Sequence, residues 1–468
     1  MVRVLSLLGS IALVFCFVIP VFDYTPARAA EQLGELEEPG QIERSPIEES
    51  APEPHESEAP TAEESVQEEE LDPGEAIAIL PDSEAIDQTI EEEEVEGAPA
   101  EGEAAKSPGS TTPRPESQLS IRWQNAFIVE RVDDPRYQFL FGGRLQNDWG
   151  VYGPDHDLES EFEGEGTGTK LRRARLYFQG QFFRYGFFKA EYDFSGRSEG
   201  TSFSDVYAGL NLPKIGLLRF GYFKEPFTLQ FQNSSNFISF NERASTSALN
   251  PGRNSGVMLN GNFFIRDSTF ALAFMRRTDD LGEGFSSKED YHLTARLTGL
   301  PYFEDGGARL LHIELGYSHQ FADKNIGTRY EQGAANDFAT PLVDTEPLFV
   351  DNVDLFNAGF AVIEGPLSLQ SEATLSMPNG EISEDPIFWG VYAELSWWLT
   401  GEHRRYLRGR GVFSRVVPNH RFDPEKGRWG AVEIATRYSW LDLSNDGIRG
   451  GTLGEWSFAI NWVLFSNL

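Results

Sequence analysis

Cysteine is almost missing from this chain. Cys16 is the only one in 468 residues, so nothing downstream of it can form a disulfide or a thiolate metal site. Methionine is scarce too, at 4 residues against 36 Phe and 45 Gly, a balance that suits many strands and tight turns better than packed helices. After the first twenty residues no stretch approaches eighteen continuous apolar residues, which excludes a helical membrane span. The 7 His are scattered without ligand spacing, and neither a His-Glu-x-x-His motif nor a nucleophile elbow occurs. No catalytic residue, metal site or cofactor is therefore expected. Basic charge is also in short supply: 39 Lys and Arg stand against 74 Asp and Glu, a net charge of −35. Nucleic acid is excluded as a partner on these electrostatic grounds.

What is present divides the chain into three parts. Residues 1–30 read as a signal peptide: Arg3 gives a positive start, LSLLGSIALVFCFVIP is the apolar region, and Ala27-Arg28-Ala29 is a small-residue cleavage site. The mature chain is expected to begin at Ala30 or Glu31. Residues 31–118 form an acidic arm rich in Glu, Pro and Ala. Its stretch 31–115 holds about 27 acidic and about 3 basic side chains and no Phe, Tyr or Trp. Such a segment cannot bury enough apolar surface to offset its chain entropy, and it is expected to be disordered.

From Leu119 to Leu468 the pattern changes. Segments of roughly ten residues alternate in polarity between turn-like stretches. In YQFLFGGRLQNDW, Phe139, Phe141, Leu145 and Trp149 share one face while Gln138, Arg144, Gln146 and Asp148 share the other. LRRARLYFQGQF, YGFFKAEYDF, GAVEIATRYSW and WSFAINWVL behave alike. The polar faces carry both signs of charge, as a water-filled lumen would, and Trp149, Trp397, Trp398 and Trp440 lie toward strand ends, as in an interfacial girdle. An exported chain that enters a membrane without helices must close its strands into a barrel. The fold expected is therefore all-β, a transmembrane antiparallel β-barrel in outer-membrane lipid, with about fourteen visible strands and a small hairpin at 119–131 ahead of them. Alternation turns Arg144, Arg173, Arg175, Lys189 and Arg437 toward the lumen and Arg172 toward lipid. Short connections at Phe182–Tyr185 and Glu364–Pro366 alternate with long ones at 150–169, 224–254 and 321–351.

Several ordered runs carry a resemblance. GGRLQND (142–148), LRRARLYFQGQFFRYGFFKAEYDF (171–194), LRFGYFKEPFTLQFQNSSNFISFNERASTSALNPGRNSGV (218–257), LTGLPYFEDGGARLLHIELGYS (297–318), WWLTGEHRRY (397–406), WGAVEIATRYSWLDL (429–443) and WSFAINW (456–462) resemble the phosphate-selective porin O and P family. The resemblance implies a homotrimer of sixteen-stranded barrels, each with an arginine-lined pore for small anions such as phosphate or polyphosphate. It implies a long loop after the fifth strand, here 224–254 with Arg243 and Arg253, folded inward to narrow the channel. It also carries over Arg144, Arg172 and Arg173 as pore-lining residues, in conflict with the alternation at Arg172. Asn236 stands where phosphate-selective members have a lysine. Family chains continue past the NW motif, so two further strands are expected to be missing after Leu468.

Two other readings have features of their own. A barrel whose pore is plugged could anchor the acidic arm in the periplasm or at the surface. A secreted soluble β-enzyme would draw on the plentiful carboxylate pairs, but no constellation supports a named chemistry. GEGTGTK (164–170) lacks both the Gly-Lys step and the strand–loop–helix context of a phosphate loop and reads as an extracellular connection.

Overall fold

The computed structural model describes residues 119–466 apart from 124–125, 135, 152–166, 184, 198–199, 264–266, 285–289, 335–340, 381–384 and 446. The signal segment and the acidic arm lie outside the described residues.

Alternating polarity produces one antiparallel meander. Its first strands are β1 (Leu119–Trp123), β2 (Phe127–Arg131), β3 (Gln138–Val151), β4 (Thr167–Phe182), β5 (Gly186–Arg197), β6 (Gly200–Leu212) and β7 (Gly216–Lys224). It continues through β8 (Arg253–Asn262), β9 (Ser268–Arg276), β10 (Tyr291–Glu304) and β11 (Arg309–Phe321). It ends with β14 (Asn352–Glu364), β15 (Leu367–Asn379), β16 (Phe388–Trp398), β19 (Ala431–Asn445) and β20 (Ile448–Val463). Each strand pairs with its neighbour in sequence, giving a 16-stranded sheet. Two small ribbons, β12 (Glu331–Gln332) with β13 (Val343–Asp344) and β17 (Tyr406–Leu407) with β18 (Val412–Phe413), belong to the connections.

The expected fourteen strands become sixteen through the hairpin β1–β2 at the N-terminal side. Among the described residues no ladder joins β20 to β1. The sheet curls on itself: Glu242 in the loop after β7 is held by Arg172 and Arg173 of β4 and, through its carbonyl, by Arg437 of β19, strands from distant parts of the sheet order.

Side chains divide as the two-residue period requires. Phe141, Leu145, Phe178, Leu315, Phe356, Phe458 and Ile460 point outward and stay exposed, while Arg173, Arg175, Lys189, Glu314, Glu372 and Arg437 are buried inside. This is the inverse of a soluble protein and fits a wall with lipid outside. Two expectations fail here. Trp398 follows the outward Trp397 on the same strand and therefore turns inward, only 5% exposed, so it is not part of a girdle. Arg172 also points inward, and the reason is a β-bulge. Gln146 pairs with Arg173 and Asn147 with Leu171, leaving Arg172 as the extra residue, so both arginines can face the interior. The wall also contains a point where only glycine fits: Gly221 has φ +132, and a Cβ there would sit 2.3 Å from the Val206 carbonyl oxygen.

An antiparallel meander sends connections alternately to its two ends. Strand direction places the ends of β4, β6, β8, β10, β14 and β16, with the long segment 399–430, at one end, and the ends of β3, β5, β7, β9, β11, β15 and β19, with the loop 225–252, at the other.

Leu315 is 61% exposed at mid-strand on the outward face. Leu315→Arg is expected to destabilise the barrel in lipid vesicles by about 2–4 kcal/mol, the cost of an arginine near the bilayer midplane. Unfolding by denaturant measures it, and no loss of stability would show that this face is not in lipid.

Candidate functional site

The loop 225–252 follows β7, which is the fifth strand counted from β3, and it folds into the barrel. Its first turn is α1 (Leu229–Gln232), capped by Thr228, whose hydroxyl accepts from the Phe231 N–H at 3.1 Å. The free N–H groups of α1 find wall carboxylates. Leu229 N donates to Glu314 Oε1 and to Glu372 Oε1, each at 2.7 Å, and Gln230 N donates to Glu372 Oε2 at 3.0 Å. Arg296 Nε steadies Glu314 at 2.8 Å, and the Tyr392 hydroxyl donates to Glu372. At the loop's start Glu225 accepts from Asn254 Nδ2 at 2.6 Å and Thr294 Oγ1 at 2.5 Å and meets His292 Nδ1 at 2.7 Å. At its middle Ser239 donates to Glu433 at 3.0 Å, and Asn461 bridges the Ser239 carbonyl and Glu433.

Glu242 is the loop's other anchor. Arg172 Nε is ion-paired with it, Arg173 lies 3.6 Å away and also donates to Gln146 at 2.7 Å, and Arg437 donates to the Glu242 carbonyl at 3.0 Å. The next residue, Arg243, turns back on the loop and donates to the carbonyls of Gln230 and Asn233 at 2.9 and 3.0 Å. Desolvation and the charges of Arg173 and Arg253 lower the Arg243 guanidinium to about 9, so it remains a cation at neutral pH.

The lumen is not polar throughout. At the end with the long connections, Phe227 and Leu249 of this loop pack with Tyr330, Val343, Leu348 and Val350 of the segment 322–351. Val353, Leu355, Phe388, Leu441, Leu443 and Leu453 of the wall complete that cluster. From the opposite end the segment 399–430 enters. Tyr406 and Phe413 pack with Leu229, Leu300, Leu310, Ala361 and Ile363; the Tyr406 hydroxyl meets His312 Nδ1 at 2.6 Å; Arg296 donates to the Gly411 carbonyl at 2.8 Å. The inward loop and the segment 399–430 touch where Phe413 N donates to Asn233 Oδ1 at 2.9 Å.

What stays open is a cavity of about 380 Å³ bounded by β3–β8, the middle of the inward loop, the segment 399–430 and the last residues of the sheet. Nine cationic side chains border it: Arg144, Arg175, Lys189, Arg219, Lys224, Arg253, Arg404, Arg410 and Arg415. Only three carboxylates do: Glu191, Asp205 and Glu433. Several cations are paired along the wall. Arg175 donates to Glu191 at 2.8 Å and to Asp193 at 2.6 Å, Lys189 contacts Asp205 at 3.0 Å and Glu191 at 3.1 Å, and Arg253 donates to Asp205 at 3.0 Å. Arg144 reaches across to the loop, donating to Asn236 Oδ1 and, at 2.9 Å, to Ser235 Oγ.

Of the seven cations singled out from the sequence, Arg144, Arg175, Lys189 and Arg253 border the cavity, and Arg172, Arg173 and Arg243 instead hold the loop. Sequence reasoning missed the carboxylate anchors Glu225, Glu314, Glu372 and Glu433 and the cations Arg404, Arg410 and Arg415. The signal for the last three was present in the length of 399–430, which breaks the run of tight turns at that end.

Glu372→Ala removes the acceptor of the Gln230 N–H and one of the two acceptors of Leu229 N. A buried donor left unmet costs about 1–3 kcal/mol. The expected result is a loosened loop, read as larger and noisier single-channel conductance and faster proteolysis within 225–252; wild-type traces from the variant would show that this contact does not hold the loop.

Two curated relatives align over most of the chain. An uncharacterized protein of Caulobacter vibrioides is 28% identical over 346 residues, covering 70% of this chain and 66% of that one, so the match spans just under two thirds of its length. Porin O of Pseudomonas aeruginosa is 25% identical over 358 residues, covering 68% of this chain and 76% of that one. Among solved structures, an anion-selective porin from Comamonas acidovorans aligns with 12% identity and a TM-score of 0.39 over 70% of this chain and 99% of that one. The outer membrane channel DcaP of Acinetobacter baumannii aligns with 11% identity and a TM-score of 0.35 over 69% and 96%. Residues 139–468 match the family described as phosphate-selective porin O and P, and the chain belongs to that family.

Proposed function

We propose that this porin carries small anions across the outer membrane by passive diffusion, with phosphate or polyphosphate among its solutes, and that it works as a homotrimer in outer-membrane lipid. The observation that carries the proposal is the charge around the open cavity, nine cations against three carboxylates. Family membership supports a channel rather than an enzyme.

Physical chemistry says how such a site conducts. An anion entering the cavity exchanges part of its hydration shell for guanidinium and ammonium donors. Guanidinium groups stay charged and bind oxyanions through parallel N–H groups. Conduction also requires that the ion leave. Glu191, Asp193 and Asp205 neutralise part of the field of Arg175, Lys189 and Arg253, so no single step holds an anion tightly. Arg144 donates to Asn236 and Ser235 of the loop, which places its charge at the constriction.

Planar-bilayer recordings under a KCl gradient test the proposal. The wild-type channel is expected to show an anion-selective reversal potential, and a cation-selective one would overturn the reading. Arg144→Glu moves the reversal potential toward cations, while Asp205→Asn, which releases Lys189 and Arg253 from a carboxylate, moves it further toward anions. Both shifts are larger at roughly 0.1 M than at roughly 1 M salt, because ionic screening shortens the reach of these charges.

A further inference from the structure

The cavity is not lined by charge alone. Its cations come mainly from the strands β3–β8. The inward loop contributes Phe237 and Ile238, and the segment 399–430 contributes Leu407, Val412 and Val416. All five are only half-buried, so they present apolar surface to the bore. Inorganic ions gain nothing from such surface, and leaving it wet costs about 25 cal/mol per Å². The element 399–430 also carries cations next to these residues. Arg415 lies 5.7 Å from the ring centroid of Phe237, and Arg404 lies 4.1 Å from that of Phe413. A guanidinium stacked on a ring sets a permanent positive charge beside apolar surface, so that an oxyanion is drawn to the charge while the neighbouring hydrocarbon offers contact to whatever the oxyanion is attached to. Apolar walls with a few placed polar groups are the usual build of a site for an organic solute.

From this juxtaposition we infer that the channel selects organic anions with an apolar body, carboxylates on an aromatic or branched aliphatic frame, over inorganic oxyanions and short carboxylates. The inference rests on the reading of the porin as an anion channel. The carboxylate pairs with the cations of the bore while the ring or branched chain passes along Phe237, Ile238, Leu407, Val412 and Val416.

The experiment is block of chloride current in planar bilayers containing the full-length porin, with benzoate, cyclohexanecarboxylate, acetate and inorganic phosphate as probes. Benzoate and cyclohexanecarboxylate are expected to half-block at concentrations at least about tenfold below acetate and phosphate, since each 1.4 kcal/mol of apolar contact is a factor of ten. Equal or tighter block by acetate or phosphate overturns the inference without touching anion conduction. A cation-selective reversal potential in KCl alone overturns the anion reading instead. In Phe237→Ser combined with Val412→Ser the gap between benzoate and acetate is expected to close; an unchanged gap in a conducting variant also overturns the inference. The wild-type ranking needs no variant to fold.

Discussion

The position of the open path depends on how the loop 225–252 is held. Glu242 is pulled to the wall by Arg172 and Arg173, and its backbone by Arg437. Those three arginines are themselves buried, and a buried charge without its partner is far more costly than the pair. Lifting the loop away from β4 would take the Glu242 carboxylate from Arg172 and Arg173. At its other end the N–H groups of α1 sit on Glu314 and Glu372. Opposite charges therefore meet at both attachments: loop carboxylate on wall guanidinium at one, loop N–H on wall carboxylate at the other. The loop is fixed across the bore, and the cavity is what remains beside it.

The charge pattern in the bore follows from the same need for pairing. Cations on neighbouring strands would repel one another if nothing stood between them. Glu191 and Asp205 occupy positions between Arg175, Lys189 and Arg253 and contact them in turn. This lowers the cost of holding three cations in a protein wall and at the same time weakens their grip on a passing anion. Stability and conduction make the same demand on these residues. Arg144 also ties the wall to the loop, through an amide and a hydroxyl.

Much of the wall was legible in the sequence because a two-residue period has a single reading once one face is apolar. Phe139, Phe141, Leu145 and Trp149 point outward as their spacing requires. The period fails where an extra residue enters, and a bulge leaves no mark in polarity when both residues are arginine. Arg172 was assigned to lipid for that reason, while the family motif carried it inward. Trp398 was misread because two adjacent tryptophans cannot share a face, and composition at a strand end does not say which of them looks out. The loop anchors were unreadable for another reason. Glu225 and its partners Asn254, His292 and Thr294, and Glu314 and Glu372 with Leu229, are far apart in sequence and come together because β8, β10, β11 and β15 are brought around one loop.

The two inserts explain how a wall of sixteen strands encloses so narrow a path. A barrel of that size leaves an aqueous channel unless something occupies it. Here the segments 322–351 and 399–430 enter from opposite ends and pack apolar residues against β10–β20, so that side of the bore becomes a hydrophobic core. The cavity with its cations lies beside it, against β3–β8. The cations of that side and the loop that narrows it lie within one contiguous stretch of sequence, 138–262, whereas the filling material comes mostly from later in the chain. Charge in the bore thus comes mainly from the earlier part of the polypeptide and the filling mostly from the later part, and the two meet at Glu314 and Glu372, where wall carboxylates from the filled side hold the first turn of the loop. They also meet where Asn233 accepts from the backbone of Phe413, where Phe227 and Leu249 pack with the segment 322–351, and where Arg437 and Glu433 hold the middle of the loop, so a change in either part reaches the other through several contacts.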